Sequence, residues 1–442
     1  MPDNSFAYLL ILNDLTSQLN RSQAPDFQTI QHVAIPATQA YTLDNGLPLR
    51  IVNAGEQPVL RLELIFPAGG WYENTPGAAY FGFKMLSEGT KTRSAAQISE
   101  AFDQYGAFTE FGPGNDRATL TVYCLARHLP ALLPIVQDML QQSVFPEKEL
   151  ETLKSISLQT LKVNLEKTAY VASQHFRERL FGSDHPYGRN QSEDLIASIS
   201  PQTVRDFYDR RIAGQPFTIF LSGRVSEHEV ALLNKAFGQE KLAATATETI
   251  NHSVKSSNHT GVLVERPDSL QSTIRMGKRL FTRRHADYFK FTVLNEVLGG
   301  YFGSRLMKNI REEKGFTYGI SSNLTSMAHE GYFVLGTDVK RENTAQTIQE
   351  IAKEIVRLQT ELVPVDELET VQNYMLGSFV GSLNTPFEIA DRHKTLYFDA
   401  LPADFYQTYV QQIRAVTPDD IRDMARQYLD VASMQEVVVG GK

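Results

Sequence analysis

Apolar residues along this chain recur with two periods, and the order in which the periods appear is repeated once. Residues 41–53 alternate and are broken by Asp44-Asn45-Gly46, which predicts a hairpin whose turn needs positive φ. Residues 59–66 set Leu60, Leu62 and Leu64 against Arg61 and Glu63, the pattern of a strand with one face buried and one wet. The stretch 77–89 is mostly apolar and predicts a buried helix. Ser94, with Gln97 three residues on, forms a capping box for a helix that ends at Tyr105-Gly106. Ala118, Leu120, Val122 and Cys124 alternate in a strand over 117–125, and Leu129, Leu132, Leu133, Val136 and Leu140 follow with the helical period. A long helical region runs over 147–182, His185-Pro186-Tyr187-Gly188 makes a loop, a helix opens at Pro201 and a strand spans 217–222.

The second half returns to the same order. Pro146 with Glu149-Leu150-Glu151-Thr152 matches Pro364 with Glu367-Leu368-Glu369-Thr370 at an offset of 218 (367 − 149). Ser200-Pro201 matches Thr417-Pro418 and Gly223 matches Gly440, both at 217, and Tyr105-Gly106 matches Tyr318-Gly319 at 213. So narrow a spread of offsets points to duplication of one unit. The expected fold class is α+β: two duplicated domains of similar topology, each a mixed, mainly antiparallel sheet packed with helices. The expected divisions are an N-terminal arm over 1–40 lying across the first domain, a first domain over 41–241, a linker over 242–261 rich in Ala, Thr, Ser and Asn, and a second domain over 262–442.

Within the second half, residues 298–322 carry the densest chemistry. Gly299 and Gly300 end a helix that bears Phe289, Val293 and Val297 on one face. Ser304 is placed to cap the next helix, which buries Leu306 and Ile310 and runs to Gly315. Arg311 then lies in the last turn of that helix and Tyr318, seven residues on, at the start of a strand, so a guanidinium fork and a phenol can share one rim. Such a pair suits a carbonyl or an oxyanion. It is also ordinary by itself, because an Arg in a last turn complements the helix dipole and a Tyr at a strand start packs.

Composition narrows the partners. A chain of 442 residues exceeds one ordinary core and suits two or three domains, and 42% hydrophobic with 21% charged residues is the balance of a soluble globular protein. A net charge of -8 with interspersed signs leaves no basic patch for nucleic acid or an anionic membrane. The single Cys124 excludes an internal disulfide framework and any multi-cysteine metal site. No apolar run reaches the roughly 18 residues of a membrane span. The apolar stretch 6–12 lacks a basic region before it and a cleavage pattern after it, so the expected compartment is cytoplasmic, or periplasmic if a leader has been removed.

Five landmarks now come together: Gly69-Gly70-Trp71-Tyr72-Glu73, GAAYFGFKMLSEGT over 77–90, FPEKEL over 145–150, HPYG over 185–188, and SRLMKNIREEKGFTYGI over 304–320. In this order the chain resembles the inverted-zincin peptidases of the insulinase and pitrilysin type, from about residue 38 to near its end. The last landmark is the most specific. The resemblance implies two duplicated halves that close with a second such unit around a peptide chamber, with zinc on the first half. Active members carry H-x-x-E-H, two zinc-binding His on one helix face with a Glu as general base. Here Tyr80 stands for the first His, Phe83 for the Glu and Lys84 for the second His. Thr160 stands, to within about one turn, where the third ligand, a Glu, falls.

A phenol, a phenyl ring and an ammonium neither hold a dication nor polarise water. The sequence His175-Phe176-Arg177-Glu178-Arg179 begins like the motif and ends in Arg179, so it supplies no substitute. The resemblance makes Arg311 and Tyr318 the pair that faces the zinc across the chamber, and it offers Gly299 and Gly300 a substrate-side role besides capping. The expectation is a zinc-free subunit of a heterodimeric metallopeptidase, inactive alone, with no cofactor on this chain. Zinc is expected on a homologous partner subunit and unfolded peptides are the expected substrates, with no nucleic acid and no membrane. The alternative is a non-catalytic peptide-binding or scaffold protein of the same fold.

Overall fold

The computed structural model describes residue 22 and residues 30–239, 241–243, 250–257 and 261–441. Its alternating segments pair into two sheets. In the first, β1 (Gln39–Thr42), β2 (Pro48–Asn53), β3 (Val59–Phe66), β4 (Phe108–Pro113), β5 (Ala118–Leu125) and β6 (Thr218–Gly223) lie in the order β1-β2-β6-β3-β5-β4. In the second, β7 (Gly261–Glu265), β8 (Gln271–Leu280), β9 (Ile320–Ser326), β10 (Gly331–Lys340) and β11 (Gln435–Gly440) lie in the order β7-β11-β8-β10-β9. Each half sends its last strand back between two of its early strands. Thus β6 is parallel to β2 and antiparallel to β3, and β11 is parallel to β7 and antiparallel to β8. The matched glycines end these two strands: Gly223 has φ +124° and Gly440 φ +133°, and a Cβ would lie 2.0 Å from Val59 O or 2.6 Å from Gln271 O. Both copies need glycine there because the neighbouring strand begins against the backbone.

The helices of the first half are α1 (Ala78–Lys84), α2 (Ala95–Asp103), α3 (Leu129–Gln142), α4 (Glu147–Leu165), α5 (Thr168–Phe181), α6 (Glu193–Ser198), α7 (Pro201–Arg211) and α8 (Glu227–Phe237). Those of the second are α9 (Tyr288–Asn295), α10 (Met307–Glu313), α11 (Thr344–Thr360), α12 (Val365–Gly381), α13 (Pro386–Phe398), α14 (Phe405–Ala415) and α15 (Pro418–Tyr428). The long helical region over 147–182 is two helices, broken at Glu166-Lys167. Each sheet has its own apolar core, one holding Leu62, Phe83, Leu120 and Val136 and the other Ile274, Leu294, Leu335 and Ile355.

The halves exchange one helix each. Helix α5, from the first half, packs on β8 and β11 of the second sheet, while α13, from the second half, packs on β2 and β6 of the first. This overturns the half-wet reading of β3. Arg61 is 6% and Glu63 4% exposed, because α13 lies over the face that the alternation assigned to water. Their charges are met there: Arg61 Nη2 donates to Asp391 Oδ1 at 2.7 Å and to Phe387 O at 2.8 Å, and Glu63 pairs with Arg61 and Lys394. On the opposite sheet Arg179 of α5 donates to Gln435 Oε1 at 2.8 Å.

The described part of the arm, from Ile30, touches both halves: Ile35 packs against the small core that holds Val52 of β2, and Gln39 and Ala40 pair with Ile51 and Arg50. Val33 is buried in the second core, Ile30 and Ile35 pack beside it, and Arg414 of α14 donates to Ile30 O at 3.3 Å. Residues 1–21 and 23–29 of the arm lie outside the described residues. The segment expected as a linker is described at 242–243, 250–257 and 261, and its 250–257 stretch is tied to the first half. Its Lys255 and Ser257 amides donate to Phe181 O and Arg179 O at 3.0 and 2.9 Å, carbonyls that the end of α5 leaves open. Trp71 Nε1 donates to Ile250 O at 3.2 Å, and the Trp71 ring stacks on His329 of the second half with centroids 3.9 Å apart. His252 and His185 meet the same ring edge-on at 4.6 and 5.5 Å.

Candidate functional site

Helix α1 starts at Gly77, whose φ is +90°. The Glu73 carboxylate accepts the Ala79 amide at 3.0 Å and pairs with Arg189 at 2.9 Å. Burial raises the Glu73 pKa, opposed by the Ala79 and Gly77 amides and by Arg189. Gly82 lets α7 approach, since a Cβ there would lie 2.8 Å from the Phe207 ring. The three positions that would carry H-x-x-E-H chemistry lie on this one helix and differ in exposure. Phe83 is 0% exposed, with Phe66 and Phe111 each 6.1 Å away edge-on. Tyr80 is 36% exposed and Lys84 half-buried. Thr160 is exposed on α4, whose main neighbours are α5 and α6. Among the described residues no three His, Cys, Asp or Glu side chains gather to hold a metal ion. A phenol, a phenyl ring, an ammonium and a lone hydroxyl do not fit zinc.

The second-half site is built on widened helical turns. Helix α9 continues into a π turn over Glu296–Gly300, and α10 is itself of π type, a departure from α geometry that often accompanies functional positions. Gly299 and Gly300 take no positive φ, so they do not end the helix by a left-handed cap. Gly299 is required by contact: a Cβ would lie 2.7 Å from Ser322 Oγ and 2.9 Å from Ser322 N on β9. At Gly300 a Cβ would lie 2.3 Å from Glu296 Oε2. Ser304 is not the cap that its type suggests. It is buried, and its hydroxyl has no hydrogen-bond partner among the described residues. Arg305, which resembles a surface charge in the sequence, is 8% exposed and forks onto Glu367 of α12, with Nε to Oε1 at 2.9 Å and Nη2 to Oε2 at 2.8 Å. That bidentate pair holds the loop to the bundle. Gly315, with φ +65°, closes α10 as the Phe316 amide reaches back to Ile310 O at 3.0 Å.

Arg311 stands on α10 with its guanidinium over the exposed Phe302 ring, 4.5 Å from the centroid. It makes no ion pair among the described residues, and Glu312 and Glu313 beside it are exposed. Tyr318 is 91% exposed. Its backbone, by contrast, is held on both sides: the Thr317 hydroxyl donates to Asp338 O at 2.7 Å and accepts the Gly319 amide at 3.1 Å. A fixed base thus carries a free phenol. The sequence did not reveal the Glu73–Arg189 pair or the Trp71 joint, whose partners come from loops far apart in the chain. His185 does shape its turn, its Nδ1 accepting the Tyr187 amide at 3.1 Å. His175 stays partly exposed, 3.9 Å from Glu178.

Two sheets of mixed, mainly antiparallel strands, each packed with helices, define a duplicated α+β scaffold. Residues 51–184 match the family described as Insulinase (Peptidase family M16), and residues 198–375 match the Peptidase M16 inactive domain. The chain belongs to the insulinase family of peptidases. It is 24% identical over 405 residues to Uncharacterized zinc protease YmxG of Bacillus subtilis, covering 88% of this chain and 94% of that protein. A peptidase M16 inactive domain from Pseudomonas fluorescens shares the fold with a TM-score of 0.81 at 24% identity, over 92% of this chain and 98% of that one. A protease from Helicobacter pylori does so with a TM-score of 0.82 at 16% identity, over 92% of this chain and 100% of that one. The periplasmic protease PqqL from Escherichia coli aligns with 99% of this chain over 50% of its own length, at 17% identity and a TM-score of 0.75. Among the described residues no helix is long and apolar enough to cross a membrane.

Proposed function

We propose that this chain is the zinc-free subunit of a heterodimeric metalloendopeptidase and lends Arg311 and Tyr318 to a composite site. One observation carries the reading: a guanidinium that makes no ion pair among the described residues stands on α10, and seven residues on a phenol 91% exposed is carried by a backbone that Thr317 holds. Arg311 would donate two parallel bonds to the scissile carbonyl, and Tyr318 a third as that oxygen takes up negative charge. The metal and its general base belong to a homologous partner chain, because Tyr80, Phe83, Lys84 and Thr160 suit neither task. Substrates are unfolded peptides, held partly by strand addition to β4, which ends its sheet with one edge unpaired among the described residues and exposes Phe108 by 59%. Gly299 and Gly300 take no substrate role in this reading, since Ser322 and Glu296 already account for them.

A scaffold of the same fold would share the degenerate α1, but it gives no reason to hold Arg311 apart from carboxylates. The test is co-purification of the tagged chain, with zinc content and peptidase activity measured on whatever accompanies it. A similar-sized partner bearing H-x-x-E-H, with activity absent from either chain alone, is the expected result. Arg311→Ala or Tyr318→Phe in the reconstituted pair should then lower turnover by about 10²–10³ with assembly intact. Unchanged turnover returns both residues to ordinary packing and moves the scaffold reading ahead.

A further inference from the structure

We propose that a cavity beside Gly300 binds a small zwitterion, a free aromatic amino acid or a dipeptide ending in one, with its ammonium at Glu296 and its carboxylate at Arg392. The cavity, of about 420 Å³, lies among α9, α12, α13 and α14, a size within the range of small-molecule sites. Two opposite charges face it without a counter-ion. Glu296 sits on the π turn after α9, and no hydrogen bond or ion pair reaches its carboxylate among the described residues. Its place is defined by Gly300, against whose Cα the carboxylate lies, and burial alone raises its pKa. Arg392, on α13, donates to Ser382 Oγ at 2.6 Å and lies over the Phe379 and Tyr406 rings at 5.7 and 5.9 Å. It makes no ion pair among the described residues.

The other cation on the wall, Arg283, is already neutralised by Asp399 at 2.9 Å. Aromatic rings of Tyr288, Phe405 and Tyr409 line the cavity as well. A partly desolvated carboxylate with no partner is unfavourable, and a bound ammonium offsets that cost. Aromatic faces favour the ammonium and an apolar ligand body together. A simple anion would meet Glu296, and a simple cation would leave Arg392 unmet; a zwitterion satisfies both. The site involves neither Arg311 nor Tyr318 and stands or falls apart from the peptidase reading.

Calorimetric titration of the full chain tests it, with L-phenylalanine and glycyl-L-phenylalanine as probes, and 2-phenylethylamine and 3-phenylpropionate as analogues that each lack one charge. At least one zwitterion should bind with one site per chain, and each single-charge analogue at least about tenfold more weakly. Which zwitterion binds separates the amino acid from the dipeptide. Glu296→Gln and Arg392→Gln should each weaken the bound probe by about tenfold or more. The analogue comparison on the unaltered chain holds even where a variant folds poorly. No saturable binding of either zwitterion up to about 10 mM, or analogues that bind as tightly as the zwitterions, overturns the proposal.

Discussion

Acid should loosen the joint around Trp71, and His185 sets the magnitude. The His185 ring is 2% exposed, its Nδ1 already accepts the Tyr187 amide, and its Nε2 has no hydrogen-bond partner among the described residues. Burial, reinforced by His252, Arg279 and Arg189 and opposed by Glu330, lowers its pKa from 6.5 to about 4. With the folded value depressed, the unfolded chain binds the extra proton between the two values. The stability given by the neutral ring is therefore complete above pH 6.5 and is lost as pH falls towards about 4. At roughly 1.4 kcal/mol per pH unit, the loss across that window is about 3 kcal/mol. His329, stacked on Trp71 and lowered in pKa by burial, acts in the same direction. Trp71 is the chain's one tryptophan, so its emission reports this joint without labelling. Urea unfolding followed at Trp71 should show stability falling between pH 6.5 and 4. In His185→Asn, whose Oδ1 can keep the Tyr187 bond, the slope should be shallower by about one proton at its steepest. Equal slopes in the two proteins would refute the assignment to His185.

Other expectations concern packing and metal. Arg61→Met should destabilise by about 3 kcal/mol in chemical denaturation, the lower end for removing one member of a buried ion pair, because Asp391 is half-exposed and Glu63 keeps Lys394. A change near zero would mean that the charges under α13 are not coupled. Gly299→Ala should cost about 2 kcal/mol, since its methyl meets Ser322, whereas Gly315→Ala should act through backbone strain alone, there being nothing within 4 Å of its Cβ. Equal losses with the same denaturant dependence would speak against the Ser322 contact. Equilibrium dialysis of the isolated chain should find no stoichiometric zinc, and a chelator should leave its melting temperature unchanged. Retention of about one zinc per chain would contradict the reading of α1.

One landmark of the duplication is a backbone requirement in both copies. Gly223 and Gly440 sit where the neighbouring strand leaves no room for a Cβ, and such positions keep their spacing when side chains drift. Arg311 lies on α10 as its place in the pattern predicts, whereas Tyr318 precedes β9 by two residues instead of opening it. What failed has one cause: the deciding contact came from far along the chain. Arg61 and Glu63 alternate as a wet face, yet the helix that covers them lies 326 and 331 residues away. Arg305 reads as a surface charge until Glu367 of α12 meets it, and Ser304 reads as a cap until the loop is buried. Gly299 looks like a helix terminator, but its constraint is set by a strand that follows two turns and a helix later.

The exchange of α5 and α13 makes the boundary near residue 250 a seam in sequence but not in three dimensions. Cleaving the chain there would leave each fragment with a helix folded over nothing and a sheet with one bare face. For the first fragment, that bare face would include the buried carboxylate of Glu63 and the guanidinium of Arg61 with no Asp391 or Lys394 to meet them. The two pieces should therefore be poor solitary folders and mutual templates, each completing the other's core when mixed. A doubled chain of this design is, in effect, a tethered pair of swapped partners, and its tether sets how often the halves meet as well as how they are ordered.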